Sequence, residues 1–405
     1  MIDFKKYKLG DLGEIRMCKR ILKEETNTKA GIPFYKISTF GNKADVFIDR
    51  EKFLEYKEKY SYPKKGDILI SAAGTIGRTV VFNGEESYFQ DSNIVWIEND
   101  ESKVLNEYLF YCYKNIKWYT STGSTILRLY NDNIRNSEII APDISTQKKI
   151  ADVLSCIDDK IALNNKTNTE LENMAKTIYD YWFTQFDFPD KNGHPYKTSG
   201  GQMVYNEILK REIPAGWEVK RLGDVCEIVL GGTPSTDKDE YWNGNIPWLN
   251  SGEVAEFPII NAEKTVTELG IKDSATELVP AGTVTLSITR HLRPSILTMD
   301  ACINQSVVGI KENELFSKNF FYPFIASKIN HYMMLRTGAQ QPHINKETVD
   351  DTFVCIPFTE VLENYNKEVG SIYERIILNA KETKELTALR DYLLPLLMNG
   401  QIEVK

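Results

Sequence analysis

The residue types most often recruited for metal binding or nucleophilic chemistry are sparse and dispersed in this chain. Six cysteines (Cys18, Cys112, Cys156, Cys226, Cys302 and Cys355) and four histidines (His194, His291, His331 and His343) occur in 405 residues. No CxxC and no metal-ligand spacing links them, so the thiols are expected to be reduced and mostly in cores, with no metal bound. GGTPSTDK at 231–238 has glycines, but not the GxxxxGK[ST] spacing that cradles a nucleotide phosphate. Asp158-Asp159 and Asp350-Asp351 are adjacent carboxylates. On a helix, neighbours point about 100° apart, so both pairs are expected on solvated surface rather than in acid–base catalysis. HExxH, GxSxG and the DPPY or NPPF tetrapeptide of amino-methyltransferases are all missing. The expectation is a chain without a catalytic constellation.

The elements available to position other chemistry are of mixed type. Hydrophobic residues make up 42% and charged residues 26%, as in an ordinary globular protein of two or three domains. No run of about 18 apolar residues is present and MIDFKKYKLG has no signal-peptide pattern, so a cytoplasmic protein with no membrane contact is expected. Short apolar runs at 33–37, 67–72, 79–82 and 93–97 read as strands, punctuated by Gly41-Asn42, Gly74, Gly77 and Asn83-Gly84. A helix is expected over 107–115. In the second half, strands are expected at 225–230, 246–249, 283–288 and 306–310, with a helix over 319–335. Trp96, Trp242 and Trp248 are expected in the core or at its edge.

The chain repeats itself at half length. Leu9-Gly10-Asp11 returns as Leu222-Gly223-Asp224, 213 positions on, and Gly66 and Ser71 return as Gly282 and Ser287, 216 on. Ile157, Ile161 and Leu171 match Ile372, Ile376 and Leu386 at a constant 215. Two similar domains, each followed by a similar long helix, are therefore expected. The first helix is predicted over 145–184, capped by Ser145 or Thr146, and the second over 361–398, with Pro395 loosening its last turn and Gly400 closing it. Their seven-residue seams are Ile150, Ile157, Asn164, Leu171, Ile178 and Tyr365, Ile372, Asn379, Leu386, Leu393, with Met174 among the flanking residues. In an antiparallel pair the midpoints meet, which would set Asn164 against Asn379 as a register-fixing polar layer. The predicted class is α+β: two similar domains at 1–144 and 215–358, long helices at 145–186 and 359–405 packed as an antiparallel coiled coil with pseudo-twofold symmetry, and a connector at 187–214 with a short helix near 207–210.

Four stretches carry a family resemblance over essentially the whole chain: FDFPDKNGHPYKTSGGQMVYNEILKREIPAGWEVKRLGDV (186–225), GTPSTDKDEYWNGNIPWLNSGEV (232–254), GDILISAAGTIGRTVVFN (66–83) and STQKKIADVLSCIDDKI (145–161). In this order they resemble the DNA-specificity subunit of type I restriction–modification enzymes. The second helix departs from the pattern, since ENYNKEVGSIYERI keeps only the apolar spacing, and the first domain lacks the GTPS and YWNG signatures. The resemblance implies a non-catalytic subunit that binds double-stranded DNA, each target-recognition domain reading one half of a bipartite sequence. The helices would set the spacer and dock two modification (methyltransferase) subunits. Two restriction (endonuclease/ATPase) subunits would complete the complex, with S-adenosylmethionine, ATP and Mg held by partners and none by this chain.

Under that resemblance, base readers should be fork-shaped or amide side chains on exposed loops. The first domain offers Arg16, Lys19 and Arg20 after its first strand, Thr75 and Arg78 in the glycine loop, and Ser124, Arg128 and Asn131 further on. The second offers Arg290, His291 and Arg293 after a strand and Arg336, Gln340, Gln341 and His343 after a helix, with Thr233 and Ser235 suited to phosphate. The net charge of −8 runs against a polycationic binder. Residues 7–142 hold 20 basic against 19 acidic side chains and 217–357 hold 12 against 18. DNA binding would therefore need local basic surface or partners that add phosphate contacts. A stand-alone methyltransferase or nuclease, or a scaffold or DNA-mimicking inhibitor, are the alternatives. Activity of the lone chain would mark the first, and loss of salt-dependent DNA binding the second.

Overall fold

The computed structural model describes residues 3–118, 128–289, 292–337 and 343–404. The chain folds into two compact units, Met1–Lys160 with Leu386–Lys405, and Ile161–Glu385. Each long helix contributes residues to both units.

In the first unit, strands Gly13–Met17, Ile94–Asn99, Ile68–Ser71 and Thr79–Val81 form one antiparallel sheet in that spatial order. Strand side chains alternate between faces, and here the alternation separates two cores. Ile68, Ile70, Val95 and Ile97 face Tyr108, Leu109 and Cys112 of helix Asn106–Asn115. Leu69, Ile94 and Trp96 face a second cluster with Phe34, Phe53 and Tyr88. A smaller sheet, Thr26–Asn27, Val46–Ile48, Ile32–Tyr35 and Tyr88–Phe89, closes that side, its last pair running parallel. Strands Lys5–Lys8 and Glu138–Ala141 pair separately.

The second unit repeats this plan. Strands Ile228–Leu230, Val307–Ile310, Val284–Ser287 and Pro294–Ile296 form the antiparallel sheet. Trp242–Leu249 runs parallel to Ala301–Ile303 in the smaller one. Glu218–Arg221 pairs with Phe353–Ile356 as Lys5–Lys8 does with Glu138–Ala141. The LGD repeat is a 3-10 turn in both copies, anchored by Leu9 N–H to the Ser137 carbonyl and Leu222 N–H to the Thr352 carbonyl (2.9 and 2.8 Å). Helix Lys318–Met334 contains Pro323, whose missing N–H leaves the Asn319 carbonyl without its usual helical donor. The buried Tyr365 hydroxyl donates to that carbonyl instead (3.2 Å).

The long helices span Ile144–Tyr179 and Thr359–Met398. The first is capped by Asp143 rather than Ser145 or Thr146: its carboxylate accepts the Thr146 N–H and hydroxyl at 3.1 and 2.8 Å. Its end widens into a π-turn, Asp180–Thr184, that buries Trp182 and Phe183. The second helix continues through Pro395 to Met398. Gly400, at φ +68°, then ends it as Gln401 N–H reaches back to the Leu396 carbonyl (2.9 Å), a glycine-dependent cap. In the first unit, Ile150, Ala151 and Leu154 share a core with Leu394, Leu397 and Met398. In the second, Ala175 and Tyr179 meet Tyr365, Val369 and Ile372. Met174, expected beside the seam, is exposed.

Asn164 and Asn379 are both buried, in the second unit, but they do not bond each other. Asn164 donates to Glu382 (2.7 Å), and Asn379 donates to Asn168 (2.9 Å), which in turn donates to the Ile376 carbonyl (3.1 Å). The antiparallel register thus lies about one helical turn from a midpoint-to-midpoint match, and the polar layer has four side chains instead of two.

Two further expectations change. Residues 207–210 are the turn of a β-hairpin, Met203–Asn206 with Arg211–Pro214, not a helix. Lys210 adopts φ +51° there, which no helix tolerates. Asp158 is not on solvated surface. It is half-buried and receives Arg390, Lys114 and the Tyr111 hydroxyl at 2.8, 3.0 and 3.1 Å. Burial pushes its carboxyl up, and the hydrogen bonds from Arg390 and Lys114 overcome that to hold it below the usual carboxylate value.

Candidate nucleic-acid interface

The two groups of loops singled out in each domain meet in space, and they meet in the same way twice. In the first unit, strand Ile68–Ser71 runs into a turn closed by Ser71 N–H to the Arg78 carbonyl (2.9 Å) and Arg78 N–H to Ser71 Oγ (2.9 Å). Gly77 sits there at φ +78°, and a Cβ would lie 2.4 Å from the Trp118 indole, so a side chain is excluded. Just beyond the strand, Leu129 N–H bonds the Ala72 carbonyl (2.8 Å), and Ala73 bridges Arg128. In the second unit, strand Val284–Ser287 is followed by Ile344 N–H to the Ile288 carbonyl (3.1 Å), and Thr289 bridges His343. Each junction therefore joins the loop after a central strand to the segment before a short helix, Asn131–Asn136 or Lys346–Asp350.

The side chains on these frames differ. Arg128 is half-buried, donates to the Ser92 hydroxyl (2.9 Å) and lies 5.9 Å over the Tyr130 ring. Arg78 donates to the Phe40 carbonyl (2.8 Å). Both guanidiniums are held by neutral oxygens, and neither meets a carboxylate among the described residues. The Thr75 carbonyl accepts the Ser71 hydroxyl, and Asn131 is exposed at the first position of its helix. At the second junction, Thr337 and His343 exchange backbone hydrogen bonds of 3.0 Å. Arg336 is half-buried and His343 exposed, while Arg293 is exposed with no ion-pair partner among the described residues. Ser124, Arg290, His291, Gln340 and Gln341 lie outside the described residues.

The remaining candidates are placed apart from the junctions or already engaged. Arg16 lies within strand Gly13–Met17, not after it, and pairs with Glu98 at 2.9 Å. Lys19 sits 5.1 Å over the Tyr60 ring. Arg20 is exposed without an ion-pair partner among the described residues. Thr233 donates to the Gln305 side chain. The Ser235 carbonyl accepts the Trp242 indole (3.1 Å), as the Gly232 carbonyl accepts that of Trp248 (3.1 Å). A Cβ on Gly231 would come within 2.2 Å of the Ile303 carbonyl oxygen. The GTPS and YWNG signatures thus form one device: glycines lay the backbone against a strand and two indoles fasten it.

Sequence reading missed Ser92 and Gln305. They occupy equivalent places, each immediately before the residue whose carbonyl receives the N–H at the sheet edge (Asn93 to Ala72, 2.7 Å; Ser306 to Ile288, 3.0 Å). Each holds a candidate contact, Arg128 or Thr233. Their only sequence signal is a polar residue in the turn before a buried strand, which many turns share.

A family model described as the type I restriction modification DNA specificity domain matches residues 1–173 and again 214–388. The chain belongs to that family of DNA-specificity subunits. It is 62% identical over 146 residues to a putative type I restriction enzyme specificity subunit, S.HindORF215P of Haemophilus influenzae, covering 36% of this chain and 38% of that protein. It is 27% identical over 391 residues to the MjaIX specificity subunit of Methanocaldococcus jannaschii, covering 92% and 87%. The fold matches the crystal structure of a type I restriction–modification S subunit from M. genitalium with a TM-score of 0.62 at 15% identity, over 98% and 96% of the two chains. No described helix is long and apolar enough to cross a membrane.

Proposed function

We propose that this specificity subunit reads a bipartite DNA target through the two loop junctions, one half-site per domain. The observation that carries the reading is the repeated junction itself. The same backbone bonds recur at Ala72–Leu129 and Ile288–Ile344, while the side chains they present differ. A common frame with variable donors is what reading two different short sequences requires. The guanidiniums of Arg78 and Arg128, bonded to neutral oxygens, supply local positive charge on a chain of net charge −8.

The long helices set the distance between the half-sites. With 36 and 40 residues they are about 54 and 60 Å long at 1.5 Å per residue. The four-membered polar layer around Asn164 and Asn379 opposes slippage, because a slipped register buries these amides without partners. Modification subunits carrying S-adenosylmethionine dock on the helices and domains, and restriction subunits that use ATP and Mg join them; this chain supplies recognition and no catalysis.

Deleting one heptad from each long helix around the polar layer tests the ruler. The half-sites should persist with a shorter spacer in methylation maps of the assembled complex, and an unchanged spacer would refute it.

A further inference from the structure

A cavity of about 550 Å³ opens in the second unit between the π-turn at Asp180–Thr184, the hairpin Met203–Asn206/Arg211–Pro214 and helix Lys318–Met334. It shares no residue with the junctions. Its lining includes Phe183, Phe320, Phe324 and Phe353, the last exposed, alongside polar and charged side chains. Three cations line it: Lys176 pairs with Asp180, and the other two, Lys328 and Arg211, meet no carboxylate among the described residues. Lys328 is half-buried beside the Phe324 ring (5.2 Å). Burial first, and then the charge of Arg211, hold its ammonium below the ordinary lysine value. Arg211 stacks over Phe186 (4.5 Å) and, among the described residues, its guanidinium donates only to the Thr184 carbonyl.

The other polar groups in the cavity do not neutralise them. Asp180 is bonded to Lys176 one helical turn away (2.5 Å). Burial pushes the Cys355 thiol up to about 12, so it is neutral at physiological pH. The cavity therefore carries an excess of positive charge, on a half-buried Lys328 and an exposed Arg211. An anion held between them would offset the desolvation of the Lys328 ammonium. The hairpin that supplies Leu209 and Arg211 also leaves Val204, Tyr205 and Ile208 half-exposed. Apolar surface thus extends beyond the cavity on the same element.

We propose that this cavity is a docking site for an acidic, aromatic-bearing peptide segment of a protein partner. A carboxylate would bridge Lys328 and Arg211, and the neighbouring apolar side chain would enter between Phe324 and Phe353. The site recognises a different chemistry from the DNA junctions, and duplex phosphates, fixed on a rigid backbone, fit an aromatic recess poorly.

The test uses the full chain and a random heptapeptide display library. Selected peptides should carry Asp or Glu within two positions of an aromatic or leucine residue. Their affinity should fall roughly tenfold or more on Lys328→Met with Arg211→Met, as loss of a charge-assisted hydrogen bond implies. Lys328→Arg should retain binding, which guards against a folding defect, and DNA affinity should not change in any variant. Selection of neutral or basic peptides only, binding indifferent to the double substitution, or displacement of the peptide by a short DNA duplex would each overturn the proposal. Because the variants leave the junctions intact, a failure here is distinguishable from a failure of the DNA reading.

Discussion

At the first junction the residue that bridges the strand loop is Arg128, tied to Ser92; at the second it is His343, tied through its backbone to Thr337. The surrounding main-chain bonds are the same. Duplication has therefore kept the part of the site that depends on backbone geometry and released the part that depends on side-chain chemistry. The second domain has an additional device, the glycine segment 231–235 fastened by Trp242 and Trp248, in the region where the first domain lacks both signatures. Similar frames thus support different local scaffolds around them.

The comparison can be broken most severely at that scaffold. Gly231→Ala places a Cβ within 2.2 Å of the Ile303 carbonyl oxygen and 2.3 Å of the Asn304 carbonyl oxygen. A backbone shift is unavoidable, and a loss of about 3 kcal/mol or more is expected in urea unfolding. Recognition of the second half-site should fail while the first is retained.

Next in size is the Asp158 cluster, which joins the first helix to the end of the second inside the first unit. Asp158→Asn should cost about 2 kcal/mol, since it leaves Arg390 and Lys114 without their shared partner. The native carboxyl is held below its usual value. Its contribution is thus complete above the unfolded aspartate value near pH 4 and is lost as pH falls through the folded value. Denaturant midpoints taken from pH 6 down to 3 should fall more steeply for the native chain than for the variant; parallel curves would contradict the assignment.

Smaller effects separate the two anchoring residues. Ser92→Ala and Gln305→Ala each remove one hydrogen bond worth about 1 kcal/mol. Each should weaken binding roughly fivefold, and only for targets in which the corresponding half-site is intact. Titrations against DNA with one half-site scrambled at a time measure this directly. The smallest change is expected for Arg20→Ala, an exposed cation without an ion-pair partner among the described residues. It should weaken binding to all sequences alike and reduce the slope of log affinity against log salt by about 1.

Much of this was legible in the sequence because it depends on periodicity. The central strands and both long helices follow from alternation and seven-residue spacing, and the half-length repeat implies two similar domains. What could not be read depends on pairings between distant segments. The one-turn offset that gives Asn164 to Glu382 and Asn379 to Asn168 is decided by how the helix flanks pack, not by where the midpoints fall. Residues 207–210 carry a helix-compatible sequence, yet hairpin pairing and a positive φ at Lys210 override local propensity. Asp158 resembled any surface acid until Arg390, 232 positions away, was brought against it. Arg16 was placed one element too late because the strand holding it extends to Met17.

The central claim is that each junction reads its own half-site. The most direct measurement maps methylated bases genome-wide in cells carrying the assembled complex with Arg128→Ala or, separately, His343→Ala. The account predicts that each substitution relaxes or changes one half of the bipartite sequence, a different half in each case, with the other half and the spacer unchanged. Loss of both halves together from either substitution, or the same half from both, would contradict it.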